Sequence, residues 1–569
     1  MKTLYTQFLE AADTHRAAEA LGVREGDTYR TMTFGALRDA VKKRAAGMRA
    51  RGIATGDRVA FMVPNGPDWV MLDLACAALG VVSVSVHTTY PFAYLKHIVS
   101  DSGARWLVLH QDFYEQFKTT LSELSVERMF VIGDCEEQGI IEQFERLVST
   151  EARFEPAEID AGSPHTIVYT SGTTGMPKGA TLSHNNLLSN VEAATRVIPL
   201  NADDRFFSFL PLSHSMERTA GYYTPLLSGC AIYYARSKNS VADDIKLAQP
   251  TVIISVPRIF EKVYEKVLET ARSGSFIKQK LFYLAIDLGS KKRARALKSY
   301  HRPLYNLLDS IVLKKIRNSL GGRLRFTVCG GSSLSPDIMQ FFDDLGIIIL
   351  EGYGLTETSP VVSANTMTSR KYGSVGKPLP GVSVRVADDG EILVKGPNVM
   401  HGYWKNLDAT AEVIDPDGWL HTGDLGALDA DGFLSITGRK KEMIVLSTGK
   451  NVAPVPIEQE LEANRFISQA MVYGDNQKHI SAIIVPDLHA LDAWCSEKKI
   501  AFELPSVFGH IEVQELFEHE IKSQLNHFPE NEQLRIFKLV AEEFTQENDL
   551  LTPTLKLKRK NILKKYSTE

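Results

Sequence analysis

Short apolar runs rich in β-branched residues recur along most of this chain, separated by amphipathic stretches of helical period. The runs at 58–63, 81–86, 106–110, 166–169, 252–256 and 347–350 have strand length, and the stretches at 34–51 and 68–79 have helix length. A strand that must pass through a helix before the next strand returns parallel to it, so the pattern predicts an α/β fold of doubly wound sheets. Residues 76–86 read as a buried helix followed by a strand. Residues 261–320 are mostly helical in pattern and form a predicted insertion carrying the basic run Lys291, Lys292, Arg293, Arg295, Lys298 and Arg302. Those cations read first as a solvated helix face, and alternatively as a surface that meets anionic lipid or an acidic partner. Beyond Lys371 the texture changes to short strands with Gly/Asp turns, which predicts a β-rich subdomain. After Gly438 it becomes α+β. The predicted organisation is a large domain over 1–438 and a small C-terminal domain over 439–569.

Charge and cysteine usage narrow the function classes. The chain has 64 Lys and Arg against 69 Asp and Glu, a net −5, which argues against a nucleic-acid binder driven by phosphate neutralisation. Its first 22 residues mix charges throughout and lack the apolar core of a signal peptide, and no run reaches the ~18 apolar residues of a membrane span. Cys76, Cys135, Cys230, Cys329 and Cys495 lie far apart with no CxxC pair, the usage of reduced thiols in the cytoplasm. The expectation is a soluble cytoplasmic protein, at most in peripheral contact with the inner face of a membrane.

Three motifs carry chemistry. The first runs from Tyr169 to Gly179, YTSGTTGMPKG, directly after an apolar strand. Glycines at 172, 175 and 179 let backbone N–H groups turn towards an anion, Ser171, Thr173 and Thr174 add hydroxyls, and Lys178 adds a point charge. Such a loop suits a polyphosphate, although its spacing is not that of a P-loop. The second, Glu351-Gly-Tyr-Gly-Leu-Thr-Glu357, reads either as a plain turn or as a nucleotide-binding segment; it imitates a dinucleotide fingerprint but has Glu357 at the third glycine. Tyr353 offers a ring for stacking on a base, while Thr356 and Glu357 suit a phosphate and its magnesium. In the third, 418–426, Asp424 is read on a tight turn, either as an ordinary Asx turn or as a carboxylate for vicinal ribose hydroxyls; Arg439 could serve the same ribose or a phosphate.

Taken together with GRKKE at 438–442 and LTPTLKLKRK at 551–560, these motifs occur in one order. In that order the chain resembles the adenylate-forming superfamily, and VPRIFEKVY, GGSSL and STGKNVAP look like long-chain fatty acyl-CoA synthetases. The resemblance implies activation of a medium- to long-chain fatty acid by ATP to acyl-AMP, then transfer to CoA, with Mg²⁺ as cofactor. An acyl–acyl-carrier-protein synthetase is the alternative. It implies that Thr170, Ser171, Gly172, Thr173, Thr174, Gly175 and Lys178 hold the β- and γ-phosphates, Thr173 and Glu357 the Mg²⁺, and Thr356 the α-phosphate. Tyr353 would stack on adenine, Asp424 and Arg439 would hold the ribose, and Gly331, Glu351 and Gly352 would complete the nucleotide set. His214 would sit beside the acyl carboxylate, and Gly330, Gly331 and Ser332 where acyl group and adenylate meet. Lys556 would be the catalytic lysine, with Lys558 as the other candidate, and Leu555 stands where the family usually has glycine. Glu442 would be the hinge, where the family more often has Asp. Gly449, Lys450 and Asn451 would approach the pantetheine arm of CoA.

Overall fold

The apolar runs become parallel strands. In the computed structural model, which describes residues 2–149, 154–170, 176–552 and 556–566, Arg58–Met62 pairs in parallel with Val82–Ser85 on one side and Trp106–His110 on the other. The helix Pro67–Leu79 makes the first crossover. Eleven of its thirteen residues are buried, so it lacks a polar face, as a helix enclosed on all sides must. Proline at its first position and Gly80, in the left-handed region at φ +64°, set its limits.

The chain divides into two compact units. The first comprises residues 1–385, 393–421 and 429–434; the second comprises 386–392, 422–428 and 435–569. Among the described residues the first unit holds two large sheets. One has eight strands, with Pro164–Thr170 parallel to Val82–Ser85 on one side and antiparallel to Lys178–Ser183 on the other. The other has nine, its parallel centre including Arg205–Ser208, Val252–Ser255, Phe326–Cys329 and Ile349–Gly354. Phe61, Val108 and Val168 from one sheet and Phe206, Ile254 and Leu350 from the other enter one apolar cluster with the helices Leu4–Thr14, Phe34–Ala50 and Pro67–Leu79. The predicted α/β class with doubly wound sheets is what is found.

The helical insertion begins at Pro257, four residues before its predicted start. It runs through Pro257–Arg272, Phe276–Arg293 and Arg302–Leu308 and ends with Lys314–Ser319. In the second unit, Ile467–Tyr473 pairs antiparallel with Ser481–Pro486, which pairs in parallel with Ile536–Leu539. Helices Pro454–Glu462, Leu488–Lys498 and Ile511–Gln524 cover this α+β core.

Two local expectations change. The strand predicted to end at 350 continues as Ile349–Gly354, so the Gly-Tyr-Gly run lies in a sheet and not in a turn. It pairs antiparallel with Val361–Ala364, and Gly354 permits this because a Cβ there would lie 1.9 Å from the Pro360 carbonyl oxygen. Asp424 likewise sits on a strand, Leu420–Leu428, and is buried.

Candidate active site

In the first unit the phosphate motif is carried by a hairpin. Thr170 ends one strand and Lys178 begins its partner, the two residues facing each other in register. Ser171, Gly172, Thr173, Thr174 and Gly175 lie outside the described residues. Beside Lys178 a short strand, Gly402–Tyr403, pairs with Thr181 and Ala180. The Lys178 ammonium stands 5.4 Å from the centre of the Tyr403 ring, within cation–π range. The Tyr403 hydroxyl donates to Glu357 Oε1 at 2.8 Å. Burial first, then the Glu357 carboxylate, holds this phenol well above its ordinary pKa, so it stays a donor. Met400 N–H fixes the Glu357 carbonyl at 2.8 Å. A cation, a phenol and a carboxylate thus converge where the strand beginning at Lys178 starts. Tyr403 belongs to none of the sequence motifs.

Thr356, in the same short turn as Glu357, is buried, with its hydroxyl 3.0 Å from that of Ser215. Ser215 follows His214, whose Nδ1 accepts the Met216 N–H at 3.3 Å. His87 is pulled down to about 3 by burial, then by His214 and Lys238, and is neutral at physiological pH. A Cβ on Gly330 would meet the Met216 sulfur at 2.9 Å, so the glycine lets the Gly-Gly-Ser backbone close on the His214 segment. Glu351 is buried opposite Cys329 and accepts the Leu334 N–H at 3.1 Å. Burial pushes it up to about 7, against that hydrogen bond. Tyr353 is half-buried, facing Ser363 in register.

Beneath these residues lies a buried polar network that sequence reading missed. Arg218, fully buried, donates to the Leu212 carbonyl at 3.3 Å, to Thr166 Oγ1 at 2.5 Å and to Ser85 Oγ, and lies 4.9 Å from the Trp69 ring. It therefore ties the strand that leads into the phosphate motif to the segment that carries His214. Asp73, also fully buried, accepts from Tyr223 at 2.7 Å and Tyr222 at 3.2 Å, with His165 Nε2 3.4 Å away. Burial alone would raise the Asp73 pKa, but His165, Arg218 and Tyr223 outweigh it and hold the carboxyl well below its usual range. The sequence offered one signal for this network: a carboxylate, Asp73, in the middle of the otherwise apolar run 69–79 of a helix.

In the second unit Arg439 Nε meets Asp424 Oδ1 at 2.9 Å. Glu442 ends a short turn and faces Arg559 at 3.8 Å; Arg559 also grips Glu458 through two hydrogen bonds of 2.6 and 2.7 Å. Gly449 and Lys450 lie exposed between the short strands Ile444–Val445 and Asn451–Val452, and the exposed Asn451 begins the second of these, facing Val445 in register. Lys556 is exposed, its N–H donating to Thr552 Oγ1 at 3.0 Å. The Lys558 ammonium is paired with Asp549.

The sequence profile of the AMP-binding enzymes matches residues 8–404, and that of the AMP-binding enzyme C-terminal domain matches 441–509. The long-chain-fatty-acid–CoA ligase FadD15 of Mycobacterium bovis is 35% identical over 547 residues, covering 93% of this chain and 90% of its own. The long-chain-fatty-acid–[acyl-carrier-protein] ligase AEE15 of Arabidopsis thaliana is 28% identical, covering 95% of this chain and 82% of its own. The adenylation domain of a carboxylate reductase from Mycobacterium chelonae superposes with a TM-score of 0.80 at 22% identity, covering all of this chain and 90% of its own.

Proposed function

This chain belongs to the AMP-binding enzyme family, and from that premise we propose that it converts a medium- to long-chain fatty acid, ATP and CoA into acyl-CoA, AMP and pyrophosphate. A carboxylate oxygen of the acid attacks the α-phosphorus of ATP and the bond to pyrophosphate breaks. The CoA thiol, having lost its proton, then attacks the acyl carbonyl and AMP leaves. Both steps gather or shift negative charge, so positioning and charge neutralisation are what the protein has to supply.

What supports this most is the convergence of Lys178, Tyr403 and Glu357 where the strand beginning at Lys178 starts. In this reading Lys178 and residues 170–175 hold the β- and γ-phosphates, Thr356 the α-phosphate, Tyr353 the adenine, and Asp424 with Arg439 the ribose. Gly331, Glu351 and Gly352 shape the nucleotide wall. Glu357 and Thr173 hold Mg²⁺, which when bound draws charge from the phosphates. One half-buried carboxylate turned by a phenol suits this ion, which takes most of its ligands from phosphate and water. His214 orients the acyl carboxylate. Lys556 is assigned to the developing charge between carboxylate and α-phosphate, with Lys558 as the other candidate. The bodies 1–438 and 439–569 turn about Glu442 between the two steps, after which Gly449, Lys450 and Asn451 meet CoA. We place the enzyme in the cytoplasm, at most in peripheral contact with the inner face of a membrane. Among the described residues no helix is long and apolar enough to cross one.

AMP release across fatty acids from C4 to C20, with an aromatic acid as control, tests the reading. CoA-dependent turnover peaking in one range of chain length supports it. The relative named for acyl-carrier-protein ligation favours a second acceptor, and turnover with holo-acyl-carrier protein in place of CoA would establish that instead.

A further inference from the structure

The helical insertion exposes apolar side chains where a solvated helix would expose polar ones. Among the described residues nineteen large hydrophobics are exposed, and eight of them fall between Phe276 and Ile311. Scattered exposed hydrophobics need no explanation, but a concentration of this kind does. On the helix Phe276–Arg293 the exposed Phe276, Tyr283 and Leu284 follow helical spacing, with Ile277 alongside. Phe276 is 69% exposed and Ile277 70%. A second stripe, Leu304, Leu307 and Ile311, follows the same spacing from Arg302–Leu308 into the turn beyond it.

These stripes are not inward faces left open by chance. Ala285 and Leu288 of the first helix and Tyr305, Leu308 and Leu313 of the second segment already enter one buried cluster with Phe260 and Phe342. The Lys292 ammonium bonds the Tyr305 hydroxyl at 3.2 Å and joins the two segments. Each is thus apolar on its packed face and again on its outer face.

The charge around the outer faces is one-sided. Between Phe276 and Ser319 there are eleven Lys and Arg against two acidic residues, Asp287 and Asp309, in a chain whose total charge is −5. The cations stand over the aromatic rings: the Lys280 ammonium is 4.4 Å from the Phe276 ring and that of Lys298 5.8 Å from the Tyr300 ring. Exposed apolar residues flanked by lysines match an interfacial helix, apolar groups in the acyl boundary and cations at the headgroups.

We propose that this face of the insertion docks the protein on the surface of an anionic phospholipid bilayer. Charge decides between occupants, since a second copy would set one net positive segment against another. The proposal deepens the fatty-acid reading in one respect: a long-chain acid partitions into bilayers at about 0.8 kcal/mol per buried CH₂, so a docked enzyme meets its substrate at the source.

Flotation of the full chain with vesicles tests it, and needs neither ATP nor fatty acid, so it stands or falls separately from the ligase reading. The chain is expected to bind phosphatidylglycerol/phosphatidylcholine vesicles at least tenfold more tightly than pure phosphatidylcholine vesicles, and to release them as salt rises. Phe276→Ser/Ile277→Ser and Lys298→Glu/Arg302→Glu should each weaken anionic binding about tenfold or more. Both alter exposed positions, so their thermal melts and their turnover of a short, water-soluble acid should match the parent chain. Equal binding to both vesicle types, or unaltered binding by either variant, overturns the proposal. So does a dimer in sedimentation that Phe276→Ser/Ile277→Ser dissolves with no change in flotation, which would make the face a contact between copies.

Discussion

Replacing Arg218 with Met, which nearly keeps the volume, would test the buried network under the candidate site. The guanidinium is fully buried, fills acceptors on Leu212, Thr166 and Ser85, stacks on Trp69 and offsets the Asp73 carboxylate. Its removal strands a buried carboxylate and several acceptors, a change that costs about 3–5 kcal/mol. Roughly 400 residues unfold with the first unit, so the unfolding entropy is about 0.85 kcal/mol/K and the expected loss in Tm is about 4–6 °C. Calorimetry on the parent chain, Arg218→Met, Asp73→Asn and the double variant reads both the loss and the coupling. The double variant should lose clearly less than the two single losses combined, because neutralising Asp73 removes the stranded charge. Asp73, its pKa depressed by the fold, stabilises the protein above the unfolded pKa of about 3.9, and that contribution fades as pH falls below it. The single-variant deficit should therefore shrink in acid. A Tm loss below about 1 °C, or strict additivity, would refute the network.

Glu217, buried without a well-formed hydrogen bond, is pushed up to about 8 by burial, eased in part by the Ser208 hydroxyl. Its fold-raised pKa favours the folded state fully below the unfolded pKa of about 4.5. The benefit is lost as pH rises to 8, a change of up to about 5 kcal/mol. Glu217→Gln should flatten the decline of Tm between pH 5 and 9, and parallel curves would contradict this. Lys556→Ala should cut acyl-adenylate formation by about two to four orders of magnitude, while thioester formation from supplied acyl-AMP continues; near-normal adenylation would move the role elsewhere in the tail. Glu357→Gln should raise the magnesium concentration needed for half-maximal pyrophosphate release about tenfold, and an unchanged requirement would remove it from the metal site. Glu442→Pro should spare adenylation and slow thioester formation, whereas equal losses in both would count against a hinge.

The parallel strands were legible because runs such as 106–110 are short, β-branched and separated by helical period; the structure places that strand at Trp106–His110. Local chemistry was legible too, since Lys178 and Glu357 announce themselves by their glycine and hydroxyl neighbours. What stayed hidden depends on long-range pairing. Tyr403 reaches Glu357, 46 residues away, only because its two-residue strand pairs beside Lys178. Asp73 on one helix, His165 on a strand, and Arg218 with Tyr223 on the helical segment Glu217–Tyr223 come together only in the fold. The Gly-Tyr-Gly run reads as a turn because glycine is rare in strands, and the need for glycine beside the Pro360 carbonyl appears only once the strands are paired.

The central claim is attack of a fatty-acid carboxylate on the α-phosphorus, and isotope transfer tests it directly. Fatty acid carrying ¹⁸O in both carboxylate oxygens is incubated with ATP, magnesium and CoA, and the nucleotide product is read by mass spectrometry. The account predicts AMP with one ¹⁸O in its phosphate, unlabelled pyrophosphate, and acyl-CoA retaining one ¹⁸O. Unlabelled AMP, or ADP as the product with label in orthophosphate, would contradict it.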